Sequence, residues 1–166
     1  MAKAKKDEYT KGDKVVYPPH GVAIIEKTEV KNVAGTDQKF YHLTVLETGM
    51  KAMVPLSRVD TVGLRKVVDS KTVDEVYDIL RDRNVTVDTQ TWNRRHREYT
   101  QKIKTGSVHE IAKVIRDLSV LKGDKELSFG ERKMLESAQG LLVKEISIAK
   151  SRPEDAVLSE LNELFV

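Results

Sequence analysis

The sequence predicts an α+β chain in two parts, a small antiparallel β-barrel or curled sheet followed by a compact bundle of about five α-helices. Three observations carry the prediction. Short β-prone runs with Gly and Pro turn signals between them fill residues 10–65. Beyond Ser70 the apolar period switches from two to the helical value and stays there. Ser/Thr-x-x-Glu capping signals then recur through the second part. The change of character near Arg65 sets the expected domains at 8–66 and 67–166, and a helical part of about a hundred residues is within the usual size of one core.

In chain order, Lys14 to Tyr17 is a brief strand stopped by Pro18-Pro19, which cannot donate ladder hydrogen bonds, with His20-Gly21 as the turn. Val22 to Val30 resumes as a strand. Its start, Val22-Ala23-Ile24-Ile25, is apolar on both parities, as where a small sheet is covered on both faces, and Lys27 and Glu29 mark a wet face. Ala34 to Asp37 turns the chain back, and Tyr41, Leu43 and Val45 share one parity. After Glu47-Thr48-Gly49 a last strand runs from Met50 to Pro55. In the helical part, boxes starting at Thr72, Ser107 and Ser128 open helices, and Ser151-Arg152-Pro153-Glu154 opens another with its proline in the first turn. The stripes are Val73, Val76, Tyr77 and Leu80; Val108, Ile111, Ala112, Ile115 and Leu118; Met134, Leu135, Ala138, Leu141 and Leu142; and Val157, Leu161 and Leu164. A helix containing Trp92 and ended by Gly106 completes the set.

The composition excludes several kinds of chemistry. The chain has no cysteine, which removes disulfides, thiolate metal sites and cysteine nucleophiles and suits a reducing cytoplasm. The lysines of the first residues are followed by no apolar stretch, so neither a signal peptide nor a membrane anchor is expected, and the Asn84-Val85-Thr86 sequon reads as accidental. The four histidines lack partners at metal-ligand spacing, and no phosphate loop, dinucleotide fingerprint or serine elbow occurs. Asp74-Glu75 and Glu154-Asp155 lie at helix starts, where they complement the dipole. No enzyme, cofactor, metal or small-molecule substrate is expected. The net charge of +3 is too small to identify an anionic partner by itself.

Two surfaces remain. On the Trp92 helix, Trp92, His96, Tyr99 and Ile103 fall on one stripe, Asn93, Arg94, Arg97, Gln101 and Lys104 cover a broad face, and Arg95 and Lys102 flank the other side. The wheel alone favours Trp92 as the first core residue of an amphipathic helix. Its place in the first turn, beside Asp88, Thr89 and Thr91 as cap residues, leaves open an aromatic wedge delivered to nucleic acid by its cations. The second surface is the strand Met50 to Pro55. If Ala52 and Val54 face inward, Lys51, Met53 and Pro55 face out, and a proline-bearing edge with an exposed methionine is suited to a protein partner. A lone exposed methionine is the plainer alternative.

The ordered segments GDKVVYPPHGVAII, MVP, VGLRKV, TWNRRHREY and SFGERKMLESAQGLLVKEI resemble the CarD/CdnL family of bacterial transcription regulators over roughly Tyr9 to Lys150. The resemblance implies a Tudor-like (SH3-like) N-terminal domain that binds the RNA polymerase β subunit. It implies a helical domain that contacts promoter DNA without sequence specificity at the upstream edge of the bubble, so that the open promoter complex is stabilised. Transferred by motif, DNA binding falls on Trp92, Arg94, Arg95 and Arg97, with Trp92 as the wedge. Polymerase binding falls on Lys51, Met53, Val54 and Pro55, with Lys31 and Val33 on the preceding hairpin. Two other readings stand beside it. Transcription-repair coupling helicases carry a similar polymerase-binding domain, but this chain has no nucleotide-binding motif, and a free-standing nucleic-acid-binding module would use the barrel face without polymerase.

Overall fold

The computed structural model describes residues 9–85 and 91–165. The chain divides after Lys66 into a sheet unit and a helical unit.

The sheet unit has strands β1 (Lys14–Tyr17), β2 (Gly21–Val33), β3 (Thr36–Val45), β4 (Lys51–Pro55) and β5 (Arg65–Lys66). All neighbours are antiparallel, in the order β4-β3-β2-β1-β5, so β4 and β5 are the two edges. Between β4 and β5 the chain makes a 3-10 turn (Leu56–Arg58) and the one-turn helix α1 (Val59–Val62). The expected parity of β3 holds: Tyr41, Leu43 and Val45 join Val15, Ala23, Ile25 and Val54 in one buried cluster. Val16 and Val22 are buried too, in keeping with the two-sided apolar run. The sheet is antiparallel throughout, and among the described residues no pairing joins β4 to β5.

The strand β2 runs three residues past the expected Val30 because the turn is tighter than its composition indicated. Val33 pairs Thr36, leaving only Ala34 and Gly35 as the loop, at φ of 52° and 84°. Two successive left-handed residues make the hairpin turn whose twist matches its strands. Asn32 supports it, its Oδ1 accepting from the Gly35 amide at 3.2 Å. A bulge between Ile25 and Lys27 shifts the register so that Lys27 lies opposite His42.

The helical unit contains α2 (Ser70–Arg81), α3 (Trp92–Lys104), α4 (Val108–Asp124), α5 (Phe129–Lys150) and α6 (Glu154–Glu163). The expected stripes supply most of the core, with Leu80, Ile115, Leu118, Leu142 and Leu161 fully buried; Met134, Leu141 and Leu164 are only partly buried, and Ile146, outside the expected stripes, is fully buried. Ser128 and Glu131 form the reciprocal capping box, and Ser107 caps α4. Two helix starts differ from expectation. Asp69, not Thr72, caps α2: its carboxylate accepts the Thr72 amide at 2.9 Å, which makes Thr72 the third helical residue. Ser151 takes a left-handed conformation that ends α5, and Pro153 precedes α6 without a side-chain cap. The amphipathic stripes survive both shifts because burial, not the cap, sets the helix phase. Asp88 and Thr89, Thr86 of the sequon and the basic arm before Tyr9 lie outside the described residues.

Candidate functional site

Two surfaces carry the residues singled out in the sequence, one on each unit. On the sheet unit, β4 is an edge strand: Lys51 and Met53 are exposed and Val54 is buried as expected, while Ala52 and Pro55 are both half-buried. Met53 is 42% exposed and lies opposite His42, which lies opposite Lys27. Cross-strand partners share a face, so Met53, His42, Lys27, Glu29, Lys31 and Val33 all face one side. Glu29 is the hub of that face, with Lys27 Nζ at 3.0 Å, Lys31 Nζ at 3.4 Å and His42 Nε2 at 3.3 Å. The hydrogen bond from Lys27, with Lys31 adding to it, holds the Glu29 carboxyl below its ordinary range. The nearby cations are thus partly neutralised within the chain, and Met53 borders an open groove of ≈ 450 Å³ with Lys51, Thr44 and Ala52. Val33 stands six residues beyond Lys27, at the hairpin tip, about 20 Å along the strand. Val54 faces the interior as expected, at 2% exposure, so what it offers a partner is its main chain.

On the helical unit, α3 begins at Trp92, and its N-cap residue, Thr91, makes no side-chain capping bond. Arg94 and Arg97 are exposed. Trp92 is half-buried and packs against the edge of the helical core. Its indole lies edge-on to His96, with centroids 5.3 Å apart, and tilted against Tyr99 at 6.4 Å. The Arg95 guanidinium stands 5.2 Å from the ring centroid, within cation–π range.

Arg95 departs from its expected role. It is 6% exposed and donates through Nη2 to Glu131 Oε2 at 3.0 Å, so its charge is turned into the unit and away from any external phosphate. The inward stripe is therefore Trp92, Arg95 and Tyr99, while His96 is exposed. Glu131 draws Arg95 in: its other oxygen accepts the Ser128 amide at 2.9 Å, so one carboxylate both caps α5 and anchors α3. Burial pushes the Glu131 carboxyl up, but the bonds from Ser128 and Arg95 outweigh this and hold it below the ordinary carboxylate range.

Gly130, which the sequence reading did not single out, seats the indole. A Cβ at this position would lie 2.8 Å from Trp92 Nε1 and 3.2 Å from Cε2. The sequence signal for it was available, since glycine within a helix is less favourable than alanine by about 1 kcal/mol. Gly130→Ala is expected to leave the far-UV circular dichroism unchanged and to displace the indole, shifting emission from the only tryptophan to the red. An unchanged emission spectrum would show that the seat is looser than the distances imply.

Among the described residues no cluster of His, Asp and Glu is placed to hold a metal, and no helix is long and apolar enough to cross a membrane.

Comparison with known proteins adds the family. The CarD-like/TRCF RID domain matches residues 9–68, and the CarD C-terminal domain matches residues 75–162. A Bacillus subtilis (strain 168) protein named "Putative transcription factor YdeB" is 34% identical over 152 residues, covering 89% of this chain and 96% of its own. Among solved structures, CdnLNt from Myxococcus xanthus is 43% identical over 38% of this chain and 89% of its own, with a TM-score of 0.32. The 72-residue N-terminal domain of Myxococcus xanthus CarD is 39% identical over 36% of this chain and 79% of its own, also with a TM-score of 0.32. With both family domains present in order, and a relative matched along nearly its whole length, the chain belongs to the CarD family of transcription regulators.

Proposed function

We propose that this protein binds the RNA polymerase β subunit through the β4 edge of its sheet unit and stabilises the open promoter complex through its helical unit. Trp92 meets DNA at the upstream edge of the bubble, and Arg94 and Arg97 pair with phosphates on either side, without reading sequence. The observation that carries this reading is the state of Trp92: half-buried, seated on Gly130, and presented at a helix start with two exposed arginines beside it. A ring held against Gly130 and Tyr99 keeps its orientation, and its partial exposure leaves part of it in reach of a partner. Arg95 is left out of the phosphate contacts because its charge serves Glu131. The protein acts in the cytoplasm as a bridge and not as an enzyme. Tethering to polymerase raises the local concentration of a weak DNA surface, so neither contact needs to be strong.

Met53 tests the polymerase half. Met53→Glu is expected to weaken capture of purified cognate core polymerase by about tenfold or more while leaving the thermal melt unchanged, since the side chain points out of the sheet. Unaltered capture would move the interface off β4. Binding of promoter DNA at full strength without polymerase would favour the free-standing nucleic-acid module instead.

A further inference from the structure

Phe129 opens α5 with 70% of its surface exposed, more than any other bulky apolar residue described. A single exposed apolar residue is ordinary, but this one adjoins the seat of Trp92. The next residue, Gly130, is the one against which the indole rests, so the two rings are carried where the starts of α3 and α5 meet. The buried Arg95–Glu131 pair ties those two starts together, which fixes the relation between the backbones that carry the rings.

A cation stands beside the Phe129 ring. Lys133, one turn along α5, holds its ammonium 5.7 Å from the centroid of the Phe129 ring. At about 100° per residue it falls between Phe129 and Gly130 on the helix wheel, on the side toward the indole. Arg94 and Arg97 are exposed on α3, and the carboxylate of Glu131 is enclosed at 2% exposure. Glu136, about two turns from Phe129, is the next carboxylate on that face of α5. An exposed ring with an ammonium beside it matches a base with its phosphate. Duplex DNA presents base edges in its grooves, whereas only unstacked strands present base faces.

We propose that Phe129 is a second stacking residue, taking an unpaired base of the melted promoter strand next to the position occupied by Trp92, with Lys133 on the adjoining phosphate. The starts of α3 and α5 then form one two-ring platform for single-stranded DNA at the fork. The proposal rests on the reading that Trp92 contacts promoter DNA.

The test uses the full chain with cognate polymerase on a linear promoter fragment and compares Phe129→Ala, Phe129→Leu and Phe129→Trp with Trp92→Ala. All three Phe129 variants should melt as the parent does, because the side chain is in solvent. Phe129→Ala should shorten the lifetime of the open complex at least about fivefold, the lower end for loss of one stacked base. Phe129→Leu should do the same, since it keeps apolar area without a π-face, and Phe129→Trp should preserve the lifetime. A normal lifetime for Phe129→Ala or Phe129→Leu overturns the proposal. So does a lifetime defect that saturating protein abolishes together with weakened polymerase capture, which assigns Phe129 to a protein contact. If Trp92→Ala shortens the lifetime and Phe129→Ala does not, only the second ring fails; if Trp92→Ala has no effect, the underlying DNA reading fails.

Discussion

Arg95→Ala is expected to lower the stability of the helical unit by about 3–5 kcal/mol, the scale for breaking one partner out of a buried ion pair. That is a large share of the roughly 5–15 kcal/mol that holds a domain together. The cost comes less from the lost attraction than from what is left behind: Glu131, at 2% exposure, keeps its charge with the Ser128 amide at 2.9 Å and only a distant Lys125 ammonium at 3.8 Å. Denaturant unfolding followed by far-UV circular dichroism measures it. Pairing Arg95→Met with Glu131→Gln should recover part of the loss, because the uncompensated charge is then gone. The pH dependence follows from the same bond. The Glu131 carboxyl is held below its ordinary 4.5 in the folded chain, so its contribution is present above that value and disappears as pH falls through the lower folded pKa. The Glu131→Gln variant should therefore lose less stability than the parent over that acid range. An Arg95→Ala protein as stable as the parent would show that the pair is not needed to join α3 to α5.

Trp92→Ala is expected to act on two properties to different degrees. Removing a fully buried tryptophan costs about 3–5 kcal/mol; Trp92 is half-buried at the edge of the core, so about half of that is expected. The lifetime of the open complex should fall about tenfold, as for a lost base stack, with capture of polymerase by the sheet unit unchanged. A stability loss at the full core value would return the ring to the interior. An unshortened lifetime would remove Trp92 from the DNA contact altogether.

Much of the architecture was legible because burial has a period. Tyr41, Leu43 and Val45 show a strand face, and Val73, Val76, Tyr77 and Leu80 a helical one, and both stand in the core as that spacing requires. The outward parity of Lys51 and Met53 followed from the same rule. Local signals were weaker where two candidates competed within a few residues: Asp69 capped the helix assigned to Thr72, and a two-residue turn replaced a four-residue one at Ala34.

Residue order and spacing set the succession of the two units, the family motifs and the neighbourhood of Trp92 and its cations. Which of those cations is buried was set by packing between distant segments. Arg94, Arg95 and Arg97 are alike in sequence, and a helical wheel places Arg95 on a flank. It turns inward because a carboxylate 36 residues later, already fixed by capping α5, lies where its guanidinium can reach. Trp92 likewise became neither core nor free wedge because Gly130, on another helix, lacks the Cβ that would have displaced the indole. Both outcomes depend on contacts between distant segments, and periodicity, which records only how each segment divides between core and solvent, carries no information about which segments meet.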